Sequence, residues 1–218
     1  MKSFCIVGLS QFGKTLARTL AREGAQVMIV DERADEVNEL ADTVTDAVIG
    51  DPTSQQFLDA SGAADYDCAV VCLSGGIDES LLATLALKDI GVKEVIARAG
   101  SDEHRRILEK IGADSVVFPE RDAANKLGFA MARENVTDFV DFSDEYSIIT
   151  ITLPHSWIGK SLTQLNIRRR YNVTMVAIKK AGSEKAEINL DPDRPFEPGD
   201  ILTLLGSYED TVKLAEVK

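Results

Sequence analysis

Short apolar runs alternate with stretches of helical period through the first half of the chain. The run Phe4-Cys5-Ile6-Val7 is wholly apolar and rich in β-formers, and similar runs centre on Ile29, Val48, Val70, Val95 and Val116. Between them, helical patterns occupy residues 14–23, 35–42, 53–60, 79–90 and 102–111. Strands that are apolar on both faces and separated by helices predict an α/β fold, a doubly wound parallel sheet covered by helices on each side. Gly24, Gly91 and Gly112 stand where helices should end.

After Phe118 the sequence turns at Pro119-Glu120-Arg121-Asp122 and enters a helical run over 123–134. Ala124, Leu127, Gly128 and Met131 give that run an apolar stripe with small residues suited to close packing. It reads either as the last helix on its own sheet or as a crossover helix exchanged with a second subunit, and the pattern does not separate the two. Residues 136–143 are polar without helical period, which marks a boundary. Beyond it, shorter strands are expected at 147–153, 174–179 and 201–205, with a turn at 180–185 and a breaker-rich segment at 191–199. A short helix at 207–213 closes the chain. The expected division is therefore 1–136, including the crossover helix, and 137–218. The second part is a small α+β module of about 75 residues, near the lower limit for folding unaided, and it is expected to pair with a copy of itself.

The first strand runs into Gly8-Leu9-Ser10-Gln11-Phe12-Gly13 and then directly into a helix. That order presents backbone N–H groups and the positive end of a helix to an anion such as a nucleotide phosphate. The second strand closes on Asp31, about 20 residues past the glycines, where an acid can accept hydrogen bonds from ribose hydroxyls. Gly8, Gly13, Lys14 and Thr15 also satisfy the phosphate loop of ATPases and GTPases. Context favours a Rossmann unit. The strand after the first helix ends in an acid, whereas the fourth runs Ala69-Val70-Val71-Cys72-Leu73 into Ser74-Gly75-Gly76 with no magnesium-binding aspartate. In such a fold four strand tips converge on the ligand: the Gly8–Gly13 loop, Asp31 with Glu32, Gly50-Asp51-Pro52-Thr53, and Leu73-Ser74-Gly75. Arg98 at the fifth tip is placed to neutralise phosphate. Asp51 either caps the helix starting near Thr53 or touches ligand.

The chain has 218 residues, enough for one or two domains. A composition 44% hydrophobic and 28% charged fits a soluble globular protein, and no apolar run approaches the roughly 18 residues that span a bilayer. No leader pattern precedes the first strand, so a cytoplasmic protein is expected, peripheral to the inner face of the cell membrane if it docks on a membrane partner. A net charge of −12 argues against nucleic acid. Cys5, Cys68 and Cys72 lie in or beside apolar strands without C-x-x-C spacing and read as reduced core residues.

Catalytic groups are missing from the pattern. A dehydrogenase needs an acid or base beside the nicotinamide, yet none of Tyr66, Tyr146, Tyr171 and Tyr208 has lysine four residues on. His104, at the start of a helix among charges, and His155, in a loop, read as surface residues. There is no H-E-x-x-H, no G-x-S-x-G and no metal-spaced cysteine–histidine cluster. A small NAD(P)-dependent oxidoreductase is thus the weaker alternative to a nucleotide sensor that performs no chemistry. A redox-sensing transcription factor is disfavoured because the first strand begins at Phe4, leaving no room ahead of it for a DNA-binding domain.

An ordered set of segments carries a family resemblance. It comprises Gly8-Leu9-Ser10-Gln11-Phe12-Gly13, Val30-Asp31, Ile49-Gly50-Asp51, Lys110-Ile111-Gly112-Ala113-Asp114 and Pro119-Glu120-Arg121-Asp122. Ser143-Asp144-Glu145-Tyr146-Ser147, Asn166-Ile167-Arg168 and Val176-Ala177-Ile178-Lys179 extend it through the small module. Together they resemble the RCK-domain regulatory subunits of Ktr/Trk potassium uptake systems, the KtrA/TrkA family. The resemblance implies a Rossmann-like RCK N-domain followed by a small RCK C-domain, in a homodimer assembling into an octameric ring. The ring would act beneath a membrane-embedded potassium-translocating subunit of the KtrB/TrkH type. It also implies ATP or ADP, or NAD(H), in the cleft formed by Gly8, Ser10, Gln11, Phe12, Gly13, Asp31, Glu32, Asp51, Pro52, Thr53, Leu73 and Arg98. Asp31 would hold the ribose, Asp51 to Thr53 would lie near adenine, and Arg98 would face the phosphates. Glu120 matches the family glutamate that takes part in binding a divalent or monovalent cation at the dimer interface. Ile167 and Arg168 match a pocket that takes cyclic di-AMP in some relatives. Two departures matter. Ser10 replaces the glycine that lets backbone approach phosphate, and Gln11 replaces an arginine that reaches the terminal phosphate. Losing that charge-assisted contact costs on the order of 1–3 kcal/mol, which makes "adenine nucleotide" the expectation rather than ATP alone.

Overall fold

In a computed structural model, described over residues 2–143 and 145–217, packing separates residues 1–120 from residues 121–218. Asp144, part of one family-like segment, lies outside the described residues.

The first unit alternates strand and helix: β1 (Ser3–Val7), α1 (Gln11–Arg22), β2 (Gln26–Asp31), α2 (Ala34–Leu40), β3 (Asp46–Ile49), α3 (Gln55–Ala60), β4 (Cys68–Val71), α4 (Ile77–Asp89), β5 (Glu94–Arg98), α5 (Asp102–Lys110) and β6 (Ser115–Val117). The sheet order is β3-β2-β1-β4-β5-β6 and every pairing is parallel. This is the Rossmann-like, doubly wound arrangement expected, with the strand order reversing between β1 and β4, where such sheets bind ligands. The apolar runs explain it. Successive strand residues point to opposite faces, so Cys5, Val7, Met28, Val30, Ala69 and Val71 enter one core. Ile6, Ile29, Val70 and Cys72 enter the other. Val7 is level with both Val30 and Val71, so the carboxyl ends of three adjacent strands finish together.

Two glycines let the chain turn there. Gly8 has φ +95°, and a Cβ on it would lie 2.7 Å from the Leu73 backbone nitrogen. A Cβ on Gly13 would lie 2.3 Å from the Gly8 carbonyl oxygen, so α1 packs directly onto its own entry turn.

The second unit takes up most of α6 (Pro119–Met131), then β7 (Val136–Asp141), β8 (Tyr146–Thr152), α7 (Leu162–Leu165), α8 (Ile167–Tyr171), β9 (Thr174–Lys179), β10 (Ala186–Glu187), β11 (Ile201–Ser207) and α9 (Tyr208–Ala215). Its sheet, β10-β9-β11-β8-β7, is antiparallel, the small α+β module anticipated. Two features differ from expectation. Residues 136–141 are a strand paired with β8, Phe139 opposite Ile149, rather than a polar boundary. A register shift between Val136 and Asp138 breaks the two-residue period that would have revealed it. The packing division also falls at residues 120 and 121, ahead of the change in sequence pattern. Phe129 of α6 stacks on Phe139 with ring centroids 4.1 Å apart. The stripe at Leu127 and Met131 is left 60% and 78% exposed.

Gly13→Ala is expected to destabilise the first unit by about 1–3 kcal/mol, because the clash is with backbone. Urea unfolding of the variant beside the wild type checks this; an unchanged midpoint would mean that α1 does not rest on the turn as described.

Candidate nucleotide-binding site

The tips of β2, β3 and β4 enclose a cavity of about 450 Å³ lined by Asp31, Glu32, Asp51, Pro52, Thr53 and Leu73, all six anticipated. Arg33, Ser74, Gly75 and Glu79 complete the lining. Larger cavities lie in the second unit, one of about 560 Å³ beside Phe129, Phe139 and Tyr208. The 450 Å³ cavity is the one at the carboxyl ends of the parallel strands, beside the switch point, where such sheets bind ligands. Gly8, Ser10, Gln11, Phe12, Gly13 and Arg98 are not among its lining residues.

Asp31 is the buried acid of this cavity. Its Oδ2 accepts from the Leu9 backbone N–H at 2.6 Å and from Arg33 Nη2 at 3.0 Å. Its Oδ1 accepts from the Arg33 backbone N–H and from Nε, both at 3.0 Å. Burial works to raise the carboxyl pKa. The guanidinium, the two backbone donors and the Arg33 charge outweigh it and hold the group below its ordinary range.

The glycine loop meets the helix through Ser10. Ser10 is the N-cap of α1, its Oγ accepting from Gly13 N–H at 3.3 Å. A reading of Ser10 only as a crowded glycine position missed this cap, although serine is a preferred capping residue. Gln11 opens the helix exposed and Phe12 is partly buried against the core under β1 and β2. No acidic side chain stands in the first turn, so the positive helix end is not neutralised there. Lys14 is paired with Glu36 and Glu39 of α2. A phosphate-loop lysine would instead reach for phosphate, so the pairing agrees with the Rossmann reading.

Asp51 does not cap α3. Ser54 does, accepting from Phe57 N–H, because the helix begins later than the sequence indicates. Asp51 closes a turn, its Oδ1 accepting from Thr53 Oγ1 at 2.6 Å and Thr53 N–H at 2.8 Å. These bonds hold its pKa down. Arg98 donates from Nη1 to the Leu73 carbonyl at 3.4 Å and pairs through Nη2 with Glu120. Arg98 and Glu120, expected in separate roles, are brought together by the fold. The Arg98 hydrogen bond is the leading cause that lowers the Glu120 pKa.

His104 is buried rather than on the surface. The Ser101 cap starts α5, and the imidazole folds back so that Nδ1 accepts from Gly100 N–H at 3.3 Å. Burial, with the Arg98 charge second, lowers its pKa. His155 is exposed, as expected. Cys5, Cys68 and Cys72 are buried and free, and burial pushes the Cys5 and Cys72 thiols up to about 12. Among the described residues, no group of three or more His, Cys, Asp or Glu side chains is placed to hold a metal ion. Nor is any helix among them long and apolar enough to cross a membrane. In the second unit, buried Ile167 and exposed Arg168 border a cavity of about 290 Å³.

The TrkA-N domain family matches residues 4–119 and the TrkA-C domain family residues 146–217. The chain is 36% identical over 211 residues to Ktr system potassium uptake protein C of Bacillus subtilis (strain 168), covering 96% of this chain and 94% of that protein. Ktr system potassium uptake protein A of the same organism is 33% identical over 209 residues, covering 96% and 93%. Among solved structures, the GsuK channel bound to NAD shares the fold, with a TM-score of 0.55 and 24% identity over 98% of this chain and 38% of that one.

A carboxyl group with a lowered folded pKa contributes stability above its unfolded value, near 3.9, and loses it as pH falls through the folded value. Asp31→Asn is therefore expected to cost about 1.5–3 kcal/mol at pH 7 and progressively less below pH 4, as the wild-type carboxylate protonates. Urea unfolding at both pH values checks this; a cost independent of pH would show that the Asp31 charge does not hold the loop.

Proposed function

The chain belongs to the TrkA-N/TrkA-C domain family that includes the Ktr system potassium uptake proteins, and we propose that it is a cytosolic, nucleotide-sensing gating subunit of a potassium uptake transporter. The observation that carries this reading is the buried Asp31 carboxylate at the end of β2, bonded to the amide of the glycine turn beside it. An acid there suits ribose, while the amides and capped helix end beyond it suit phosphates. The ligand would be ATP, ADP or NAD(H); the likeness to the GsuK channel bound to NAD supports the last. The ligand acts as a signal and is not consumed.

A ligand shifts a conformational equilibrium only by its preference for one state. The subunit would work as a homodimer within a ring, octameric in the family, and the exposed Leu127 and Met131 stripe of α6 supports such an association. The ring would act on a membrane-embedded potassium-translocating subunit of the KtrB/TrkH type. Glu120 would help bind a cation where phosphates and carboxylates from two subunits meet. Ile167 and Arg168 would serve a cyclic dinucleotide in the second unit.

Calorimetric titration of the full chain with ATP, ADP and NADH, with analysis of the ligand afterwards, tests the reading. Saturable binding of at least one of them, recovered intact, is expected; hydrolysis of ATP, oxidation of NADH or no binding at all would contradict it. Glu120→Gln is expected to weaken activation of potassium flux by divalent cations while nucleotide affinity stays largely intact. An unchanged cation response would remove Glu120 from that role.

A further inference from the structure

Every acceptor position of the ribose-side acid is already occupied by the protein. An ionised carboxylate offers about four lone-pair sites, and Asp31 receives four donors: Leu9 N–H, Arg33 N–H, Arg33 Nε and Arg33 Nη2. Two are backbone groups fixed by the β1 and β2 tips. The other two belong to one guanidinium whose side chain is 43% exposed at the cavity wall, beside a carboxylate only 3% exposed. A ribose hydroxyl approaching Asp31 therefore meets Arg33 first.

We propose that Arg33 is a latch on the ribose site: an adenine nucleotide engages the Asp31 carboxylate only by displacing the Arg33 guanidinium, which sets how strongly the site distinguishes ribose from deoxyribose. The inference rests on reading the cleft as a nucleotide site. The displaced group has somewhere to go. Arg33 Nη1 already lies 3.3 Å from Glu36 Oε1, one turn into α2, while Lys14 holds the other oxygen of that carboxylate. Arg33 is itself the N-cap residue of α2. A hinge at its side-chain bonds can thus move the guanidinium from Asp31 towards Glu36 without moving backbone. The remaining tie, Nη2 to the Leu9 carbonyl at 3.3 Å, is long and breaks with the same motion. The strand-end acid of such folds accepts from the 2′-hydroxyl, so a ligand lacking it forgoes that contact and has less with which to displace Arg33. A ribonucleotide gains that contact and loses the ion pair, so the net preference of the wild type is small.

The experiment is calorimetric titration of wild type, Arg33→Ala and Arg33→Lys with ATP and 2′-deoxy-ATP. Both ligands carry the same phosphates, so the long-range effect of a lost positive charge cancels in the ratio of their dissociation constants. The wild-type ratio is expected within about threefold and the Arg33→Ala ratio at about tenfold or more, the size of one hydrogen bond to a charged acceptor. Arg33→Lys, which keeps the charge but cannot bridge both oxygens, should fall between. The same ratio in all three proteins, or a smaller one in Arg33→Ala, overturns the latch while leaving the nucleotide site standing. If none of the three proteins binds either ligand, the latch falls, and titration with ADP and NADH decides whether the nucleotide reading falls with it. Retained thermal unfolding of the variants excludes loss of fold as the cause.

Discussion

A side-chain hydrogen bond links the turn after β1 to the acid that ends β2: Leu9 N–H donates to the buried Asp31 carboxylate at 2.6 Å. It ties the glycine turn to that acid beside the bond from Gly8 N–H to the Val30 carbonyl at 2.8 Å. A buried carboxylate is costly unless its lone pairs are filled. Here the turn supplies one donor and Arg33 supplies three. The strain-prone turn and the desolvated acid therefore stabilise one another, and neither is well placed without the other.

The division of charge around the cleft follows from this. Asp31, Glu32, Asp51 and Glu79 make the β2–β3–β4 side of the cavity acidic. The first turn of α1 carries no acid, and Arg98 lies at the β5 tip. A ligand with a sugar at one end and phosphates at the other matches that polarity, sugar towards Asp31 and phosphates towards the helix end. A chain with net charge −12 can thus hold an anion through local dipoles despite its global field.

The Rossmann-like sheet was legible because its strands are apolar on both faces and end level with one another. Helix ends at Gly24, Gly91 and Gly112 were legible for the same local reason, each glycine holding a positive φ. What escaped depends on contacts between segments distant in sequence. Strand β7 was hidden by its register shift, which only pairing with β8 reveals. His104 looked exposed because its neighbours are charged, but its ring turns back onto Gly100. Of the cleft, the acids and glycines could be named from spacing. Arg33 was missed although it stands two residues after Asp31, because a basic residue in an acidic run reads as surface. Its proximity to the strand-end acid was the available signal.

The central claim is that the ribose of an adenine nucleotide lies on Asp31 with its phosphates at the amide end of α1. A crystal structure of the full chain with bound ATP tests it most directly. The account predicts ribose hydroxyls within hydrogen-bonding distance of Asp31, Arg33 turned away towards Glu36, and phosphates against the Gly8–Gly13 turn with Lys14 still on α2. Phosphates wrapped by residues 8–15 with Lys14 upon them, or nucleotide bound only in the second unit, would contradict it.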